Sequence, residues 1–344
     1  MSRNEKMPRI AFLFPSSRDE IISRVRTGEG TDTALWGMNH IPGAEYFVAS
    51  PASVQSLFLL PRLLRFDFII AQDNLPLGYG VSLCAKVFGL KTRWIYLAMN
   101  SSILMRRHAP HRVRLFLLKK FWASYFRIVC LSTEQLHDFA RLGVVRERLA
   151  FVPFGVDARF FQSTGVPREG ELIVSVGRDA GRDYTTLLAA AERTGYEFVV
   201  VAGHKNILPG TPIPANVSVQ YERSHAELRD LYERVRLVVI ASKGAQAQEG
   251  SDCSGQIVIM DALAAGKAVI ATDRAWITDY FIPGQDLVVV EPNDPDAIAQ
   301  AVNSLWHDTE RRKRLAASGH AKVIGRYTTE RFAKALLALM GSHT

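Results

Sequence analysis

Two stretches of the chain combine glycines, cations and a helix start in a way that suits a phosphate. In SDCSGQIVIMDALAAGKAVIATD, residues 251–273, Gly255 and Gln256 open a predicted helix whose apolar positions run through Ile259, Met260 and Leu263 and whose end is marked by Gly266. The first N–H groups of such a helix lack intrahelical partners and carry the positive end of its dipole, and glycine lets an anion come close to them. Asp261 lies more than a turn further on, where a carboxylate can accept hydrogen bonds from two ribose hydroxyls. In VGRDAGRDYTTLLAA, residues 176–190, a predicted strand ends at Gly177, and Arg178 and Arg182 follow within one loop ahead of a helix. Two guanidinium groups there can neutralise a diphosphate bidentately. A third stretch, RTGEGT, residues 26–31, follows the first predicted strand and precedes a helical pattern over 34–39, so Gly28 and Gly30 would form a flexible loop over phosphates or an acceptor. The plainer readings stay open at this point: a helix start with a solvated aspartate, two surface arginines, an ordinary turn.

Other chemistries find less support. No HExxH, EF-hand or Cys/His cluster is present, and His108 and His111 belong to a basic segment. The D-x-D of Asp294 and Asp296 sits in a Pro-containing turn before a helix and reads as a helix cap, so no metal site and no cofactor are expected. Gly78-Tyr79-Gly80 lacks the third glycine of the dinucleotide fingerprint. No pair of catalytic carboxylates stands out, which argues against a glycosidase. Cys84, Cys130 and Cys253 form neither a CxxC pair nor a disulfide framework, which fits reduced thiols.

The elements that must position these residues follow a βα rhythm. Short β-branched and aromatic runs at 9–14, 66–71, 93–97, 127–131 and 150–152 alternate with helical patterns, and ELIVSVG, EFVVVAG, VSVQY, RLVVIAS, KAVIAT and DLVVV continue the series. That alternation implies parallel sheets and an α/β class. At 344 residues the chain exceeds the size of one hydrophobic core, and PFGVDARFFQSTGVPREGE, without a clear period, reads as a linker between two Rossmann-like domains. Two helical patterns, 296–323 and 328–340, close the chain.

Charge is divided unevenly. The formal net charge is +8, but residues 1–165 hold 22 Lys/Arg against 12 Asp/Glu and the remainder 20 against 22. No acidic residue lies between Asp73 and Glu134, so the first half is built to meet something anionic. Within the basic segment 104–127, HRVRLFLLKKFWASYF places Val113, Leu117, Phe121 and Tyr125 in a stripe at helical spacing, widened by Leu115, Leu118 and Trp122 and flanked by Arg112, Lys119 and Lys120. This composition suits a helix lying on an anionic membrane surface, and equally a buried helix with a solvated basic face. No RRM, KH or helix-turn-helix signature accompanies the charge, so no nucleic acid is expected. No signal peptide and no run of about 18 apolar residues is found. The expected location is cytoplasmic, peripheral on the inner face of the membrane if that helix meets lipid.

At these residues the sequence resembles family 4 of the retaining glycosyltransferases. GRDAGRDYTTLL resembles the family's donor motif, SGQIVIMDALAAGKAVIAT its E-x7-E segment, ITDYFIPGQDLVVVEPNDPDAIAQAV its closing strand and helix, and FVPFGVDARFF its linker signature. The resemblance implies a GT-B fold: an N-terminal acceptor-side domain over 1–160, a nucleotide-sugar domain over 161–325 facing it across a cleft, and a C-terminal helix, 326–344, packing back on the first domain. It implies a metal-independent hexosyltransferase that uses a nucleotide-diphosphate sugar, UDP-sugar favoured, on a glycan, lipid-linked or small-molecule acceptor. A GT-B epimerase or phosphorylase, or an inactive sugar-binding scaffold, is the alternative. By the resemblance Arg178, Arg182, Gly255, Gln256, Gly28 and Gly30 meet the donor diphosphate and Asp261 the ribose. The first glutamate of E-x7-E falls on Cys253, which makes Glu249, Asp252 and Cys253 the candidates for sugar binding. In the first half Asp73, Asn74 and Asn100 occupy places beside the family's reaction centre, as cleft residues without an assigned role.

Overall fold

The computed structural model describes residues 7–50, 54–72, 75–162, 170–244, 247 and 249–341. The chain divides into two compact units, one made of residues 1–22, 35–153 and 332–344 and the other of residues 23–34 and 154–331.

In the first unit six strands, β1 (Ile10–Phe14), β2 (Glu45–Val48), β3 (Phe68–Ala71), β4 (Arg93–Ala98), β5 (Arg127–Cys130) and β6 (Leu149–Phe151), form a sheet of order β2-β1-β3-β4-β5-β6. All five pairings are parallel. A parallel sheet is covered on both faces, which is why β1 and β3 read as unbroken apolar runs, β5 does so after Arg127, and all three are buried along their whole length. The core on one face centres on Trp94, Trp122, Tyr125 and Phe139. Gly78, short of a dinucleotide fingerprint, has a packing reason instead. A β-carbon there would lie 2.7 Å from the Trp94 ring and 2.9 Å from Tyr125, so only glycine lets the Leu75–Val87 helix seat against them.

In the second unit β7 (Leu172–Gly177), β8 (Phe198–Ala202), β9 (Val217–Tyr221), β10 (Val235–Ile240), β11 (Ala268–Thr272) and β12 (Val288–Val290) form a second parallel sheet of order β12-β11-β10-β7-β8-β9. The chain runs outward from β7 through β8 and β9, then restarts on the other side of β7 at β10. The strand order therefore reverses between β7 and β10, and in open α/β sheets ligands bind beyond the carboxyl ends of the strands at such a switch.

Four sequence expectations need correction. Strand β2, absent from the sequence reading, is a four-residue edge strand whose side chains are only half covered, so it carries neither a long apolar run nor a clean alternation. The helical pattern over 34–39 is instead two short 3-10 turns, Thr33–Leu35 and Met38–His40, because Trp36 and Gly37 take positive φ. Trp36 is thereby packed 4.4 Å from the ring centre of Phe14. The single pattern over 296–323 is two helices, Pro295–His307 and Thr309–Arg326: Asp308 ends the first and accepts the Arg311 N–H at 2.8 Å to cap the second. Arg312, buried, then donates to the Trp306 carbonyl at 3.0 Å and so caps the end of the preceding helix. Finally, the expected linker is structured at its start. Val156 bridges to Thr328, Asp157 accepts the Phe160 N–H at 3.2 Å, and the Ala158–Phe161 helix packs on the Gln256–Ala264 helix, all within the unit that contains residues 154–331. Asp294 does cap its helix, accepting the Ala297 N–H at 2.9 Å.

One ion pair ties the Thr309–Arg326 helix to the segment that leads into β12. Asp286, fully buried, meets Lys322 and accepts from Ser318 Oγ at 2.7 Å and the Ile282 N–H at 2.7 Å. Burial pushes its pKa up, but Lys322 and these hydrogen bonds outweigh burial and hold it below the ordinary carboxylate value. A depressed acid contributes stability that is complete above its unfolded pKa, near 4, and is lost as pH falls through the folded one. Asp286→Asn is expected to destabilise the protein by about 2–3 kcal/mol at pH 7, a gap that narrows below pH ~4. Urea unfolding of both proteins at pH 7 and pH 3.5 checks this.

Candidate functional site

The carboxyl ends of β7 and β10 carry the two loops that the sequence singled out, and the backbone knits them together. The Asp183 N–H donates to Ala241 O at 3.1 Å, the Lys243 N–H to Gly181 O at 2.8 Å, and Arg182 bridges to Ser242. Asp179, which sequence reasoning passed over, clamps a third segment: its carboxylate accepts the Gly181 N–H at 2.8 Å and the Ser251 N–H at 3.0 Å. Gly250 is obligatory beside it, since φ is +91° and a β-carbon would lie 2.5 Å from Asp179 Oδ1. Arg274, also unforeseen, donates to Lys243 O at 2.7 Å and Asp252 O at 2.9 Å and so fixes the far side of the same loop.

The two arginines separate. Arg178 is exposed at the tip of its loop. Arg182 is buried, 6% exposed, beneath the backbones of two glycines: a β-carbon on Gly177 would fall 2.1 Å from its Nε and one on Gly255 3.1 Å from its Nη1. Its Nη1 donates to Ser242 Oγ at 3.2 Å and Nη2 to Val176 O at 2.8 Å, while Nε has no hydrogen-bond partner. Burial lowers its pKa, Tyr184 and Asp179 oppose that, and an arginine nonetheless stays charged. The same surroundings push the Tyr184 hydroxyl up to about 12, chiefly by burial.

Gly255 caps the Gln256–Ala264 helix with φ +93°, a left-handed conformation that only glycine adopts freely. The site therefore stacks two positive features: the free N–H groups of a helix start and a guanidinium directly behind them. Ser254 Oγ, buried, also lacks a partner. Asp261 is not the solvated aspartate of the plainer reading. It is 7% exposed, its Oδ1 is unpaired, and burial and then Asp157 push its carboxyl well above the ordinary range. A buried oxygen without a partner is what incoming hydroxyl donors would satisfy.

The glycine segment behaves differently from the open loop expected. Gly28 to Gly30 close the end of the Asp19–Thr27 helix, with the Gly28 N–H on Val25 O at 3.2 Å and the Gly30 N–H on Arg24 O at 3.1 Å. Residues 23–34 nevertheless group with the second unit. The Asp32 N–H donates to Asp157 Oδ2 at 3.1 Å, and the Asp157 N–H to Thr33 Oγ1 at 2.9 Å. Burial, then Arg178 and Arg24, lower the pKa of His225, so these three lie in one electrostatic neighbourhood although part of the imidazole residue reaches solvent. No sequence pattern pointed to His225.

Among the sugar-binding candidates, Glu249 is exposed and pairs with Lys243 at 2.7 Å, Asp252 is buried, and Cys253 is half-buried near Tyr280. Gln256 is buried next to the Tyr280 hydroxyl as well. Asn100 directly precedes the Ser101–His108 helix beyond the carboxyl end of β4 and makes no side-chain cap. Asp73 and Asn74 lie outside the described residues. Among the described residues no group of three His, Cys, Asp or Glu stands where it could hold a metal ion.

Residues 156–322 match the family model described as "Glycosyl transferases group 1". Over 326 residues, 88% of this chain and 80% of the relative, the sequence is 23% identical to a GDP-mannose-dependent alpha-(1-6)-phosphatidylinositol dimannoside mannosyltransferase of Mycobacterium tuberculosis. It is also 23% identical, over 64% of this chain and 66% of the relative, to the lipopolysaccharide core biosynthesis glycosyltransferase LpsE of Rhizobium meliloti. In structure the chain is similar to Anabaena HepE, crystallised with UDP-glucose, with TM-score 0.74 and 15% identity over 98% of this chain and all of that one. A sucrose-phosphate synthase of Thermosynechococcus elongatus aligns with TM-score 0.67 and 16% identity over 97% of this chain and 98% of that one. The fold is GT-B.

If Arg182 serves an anion above Gly255, its loss should weaken binding more than folding. A buried guanidinium without an ion pair costs desolvation, so Arg182→Met is expected to change stability by under about 1 kcal/mol. A nucleoside diphosphate at 100 times Kd should stabilise the wild type by about 2.7 kcal/mol, and a tenfold loss of affinity in the variant removes about 1.4 kcal/mol of that. Thermal shift with and without UDP and GDP measures both quantities; unchanged ligand stabilisation in Arg182→Met would overturn the assignment.

Proposed function

We propose that this chain, whose residues 156–322 are a group 1 glycosyl transferase domain, transfers a hexose with retention of configuration from a nucleoside diphosphate sugar to a lipid-linked acceptor, without a metal ion. The observation that carries the reading is the helix start at Gly255 with the Arg182 guanidinium behind it. Breaking a glycosyl phosphate bond places charge on the departing diphosphate, and preorganised N–H donors with a buried cation stabilise that charge without reorganisation. Arg178, exposed on its loop, would close on the other side of the diphosphate, with Arg24 adding positive potential nearby. Asp261 would take the ribose hydroxyls, and Asp252 and Cys253 are our candidates for the sugar. Gly28 to Gly30 and Asn100 remain candidates for the acceptor side, and the proton of the acceptor hydroxyl would pass to the leaving phosphate, so no carboxylate nucleophile is required.

UDP-sugar is the donor implied by the sequence resemblance. The mycobacterial relative's dependence on GDP-mannose favours a second reading, GDP-mannose. Incubating the protein with each donor and following free nucleotide, then the anomeric proton of the product by NMR, tests the proposal. Release of UDP or GDP that rises with acceptor lipid, with the donor's anomeric configuration kept, is expected. An epimerised donor formed without acceptor, or no consumption of any donor, would sink it.

The lipid part of the reading rests on the Arg112–Ser124 helix. Leu118 and Trp122 are buried, whereas Val113, Phe116 and Leu117 are 74, 56 and 46% exposed beside Arg112, Arg114, Lys119 and Lys120. The apolar stripe of the sequence therefore splits, and one row of it faces solvent among cations, the composition of a helix attracted to anionic headgroups. No described helix is long and apolar enough to cross a membrane. Flotation with vesicles should recover the protein on phosphatidylglycerol and far less on phosphatidylcholine, and Phe116→Glu with Leu117→Glu should reduce recovery at least fivefold. Equal recovery on both lipids would count against the membrane contact.

A further inference from the structure

The opposite end of the first unit's sheet holds a second concentration of positive charge. Arg93 opens β4, Arg127 opens β5, and Arg148 directly precedes β6, three strands that are neighbours in the sheet. Adjacent strands lie about 4.8 Å apart, so the fold sets three arginines side by side at the strand starts. Ligands of parallel sheets gather at the carboxyl ends, and within the first unit this edge is the opposite end of β4 from Asn100. With Lys86, the three arginines line a cavity of about 420 Å³ whose acidic lining residue is Glu147.

Neutral groups hold Arg93 and Arg148 and brace Arg127 on one side. The Arg93 and Arg127 guanidinium carbons lie 4.7 and 4.5 Å from the centre of the same Phe126 ring. Arg148 Nη1 donates to the carbonyls of Ala123 at 2.6 Å and Tyr125 at 2.5 Å, and Arg127 Nη1 to Phe126 O at 3.1 Å. Such partners orient a guanidinium without cancelling its charge. Arg127 is 9% exposed, and burial, then Arg148 and Arg93, lower its pKa, though a guanidinium stays charged. Lys86, Arg93 and Arg127 fall in the stretch from Asp73 to Glu134 that contains no acidic residue. Lys86 and three arginines share this cavity with one carboxylate, Glu147, an excess of positive charge that a bridging anion stabilises, and forked guanidinium donors fit phosphate oxygens.

We infer that this cavity is an anion site, separate from the donor site, that takes a phosphate group. The phosphate would come either from a free phosphorylated small molecule or from a phospholipid headgroup, and Val87 and Phe88, 67 and 70% exposed immediately after Lys86, offer apolar surface for a lipid's glyceride part. The inference stands whether or not the proposed transfer reaction is right.

Calorimetric titration with inorganic phosphate, diphosphate and monomeric dihexanoylphosphatidylglycerol tests it, on the wild type, Lys86→Glu, Arg93→Gln and Arg182→Met. Lys86 is exposed, so its variant keeps the test meaningful if Arg93→Gln folds poorly. Binding of at least one ligand should weaken roughly tenfold in Lys86→Glu and Arg93→Gln and persist in Arg182→Met, where only the donor site is damaged. Phosphate or diphosphate as the ligand identifies a free metabolite, and the short-chain lipid alone identifies a headgroup. Binding that Arg182→Met abolishes and Lys86→Glu leaves intact, or no binding of any of the three, overturns the inference.

Discussion

A guanidinium buried without an ion pair has to be held by geometry, and the second unit is arranged around that requirement at Arg182. Its side chain lies under Gly177 at the end of β7 and under Gly255 at the start of a helix, and a β-carbon at either place would collide with or crowd it. Ser242 and the Val176 carbonyl take two of its nitrogens and leave Nε without a partner. The surrounding loops answer the same need: Asp179 holds residues 181 and 251, and Arg274 holds the carbonyls of 243 and 252, so neither loop can retreat from the buried cation. The result is a positive potential delivered through a glycine backbone to the open end of a helix.

That arrangement depends on sheet topology. Because β10 restarts the chain beside β7, the loops leaving these two strands are neighbours at the carboxyl end of the sheet, where hydrogen bonds between residues 181–183 and 241–243 join them. The first sheet repeats the device, with β1 and β3 as neighbours and the chain leaving on opposite sides of them. The Thr309–Arg326 helix is secured to the segment before β12 by Asp286 and Lys322. Gly319 brings the Thr309–Arg326 helix so close that a β-carbon would lie 2.5 Å from Leu263 and 2.7 Å from the Asp286 carbonyl. The helix that begins at Gly255 is thereby fixed along its length.

Positive charge is used in two ways. In the second unit, whose sequence half is close to neutral, it enters the candidate site as one buried guanidinium, Arg182, and one at a loop tip, Arg178. In the first it is abundant, and the structure sorts it into an exposed helix face between residues 112 and 124 and a cavity at the strand starts. A single count of charges cannot distinguish a solvated face from a binding pocket, since the difference lies in which carboxylates come close.

The sequence by itself determined the α/β class, all eleven runs read as strands, each within two residues of its observed start and end, and the motif order that places Arg178, Arg182, Gly255 and Asp261 on loops and one helix of the second unit. Those features are local: apolar periodicity, glycines at helix ends and an aspartate before a helix act through neighbours in the chain. Only the tertiary structure decided that Arg182 is buried while Arg178 is exposed, that Asp261 carries a buried unpaired oxygen, and that Asp179 and Arg274 hold the loops. It also decided that residues 23–34 belong with the second unit, that Trp36 and Gly37 break a helical pattern, and that Arg93, Arg127 and Arg148, far apart in the chain, stand side by side. The physical reason is common to all of them: burial, like-charge proximity and the space left by a missing β-carbon are properties of packing between distant segments, and spacing along the chain carries no record of them.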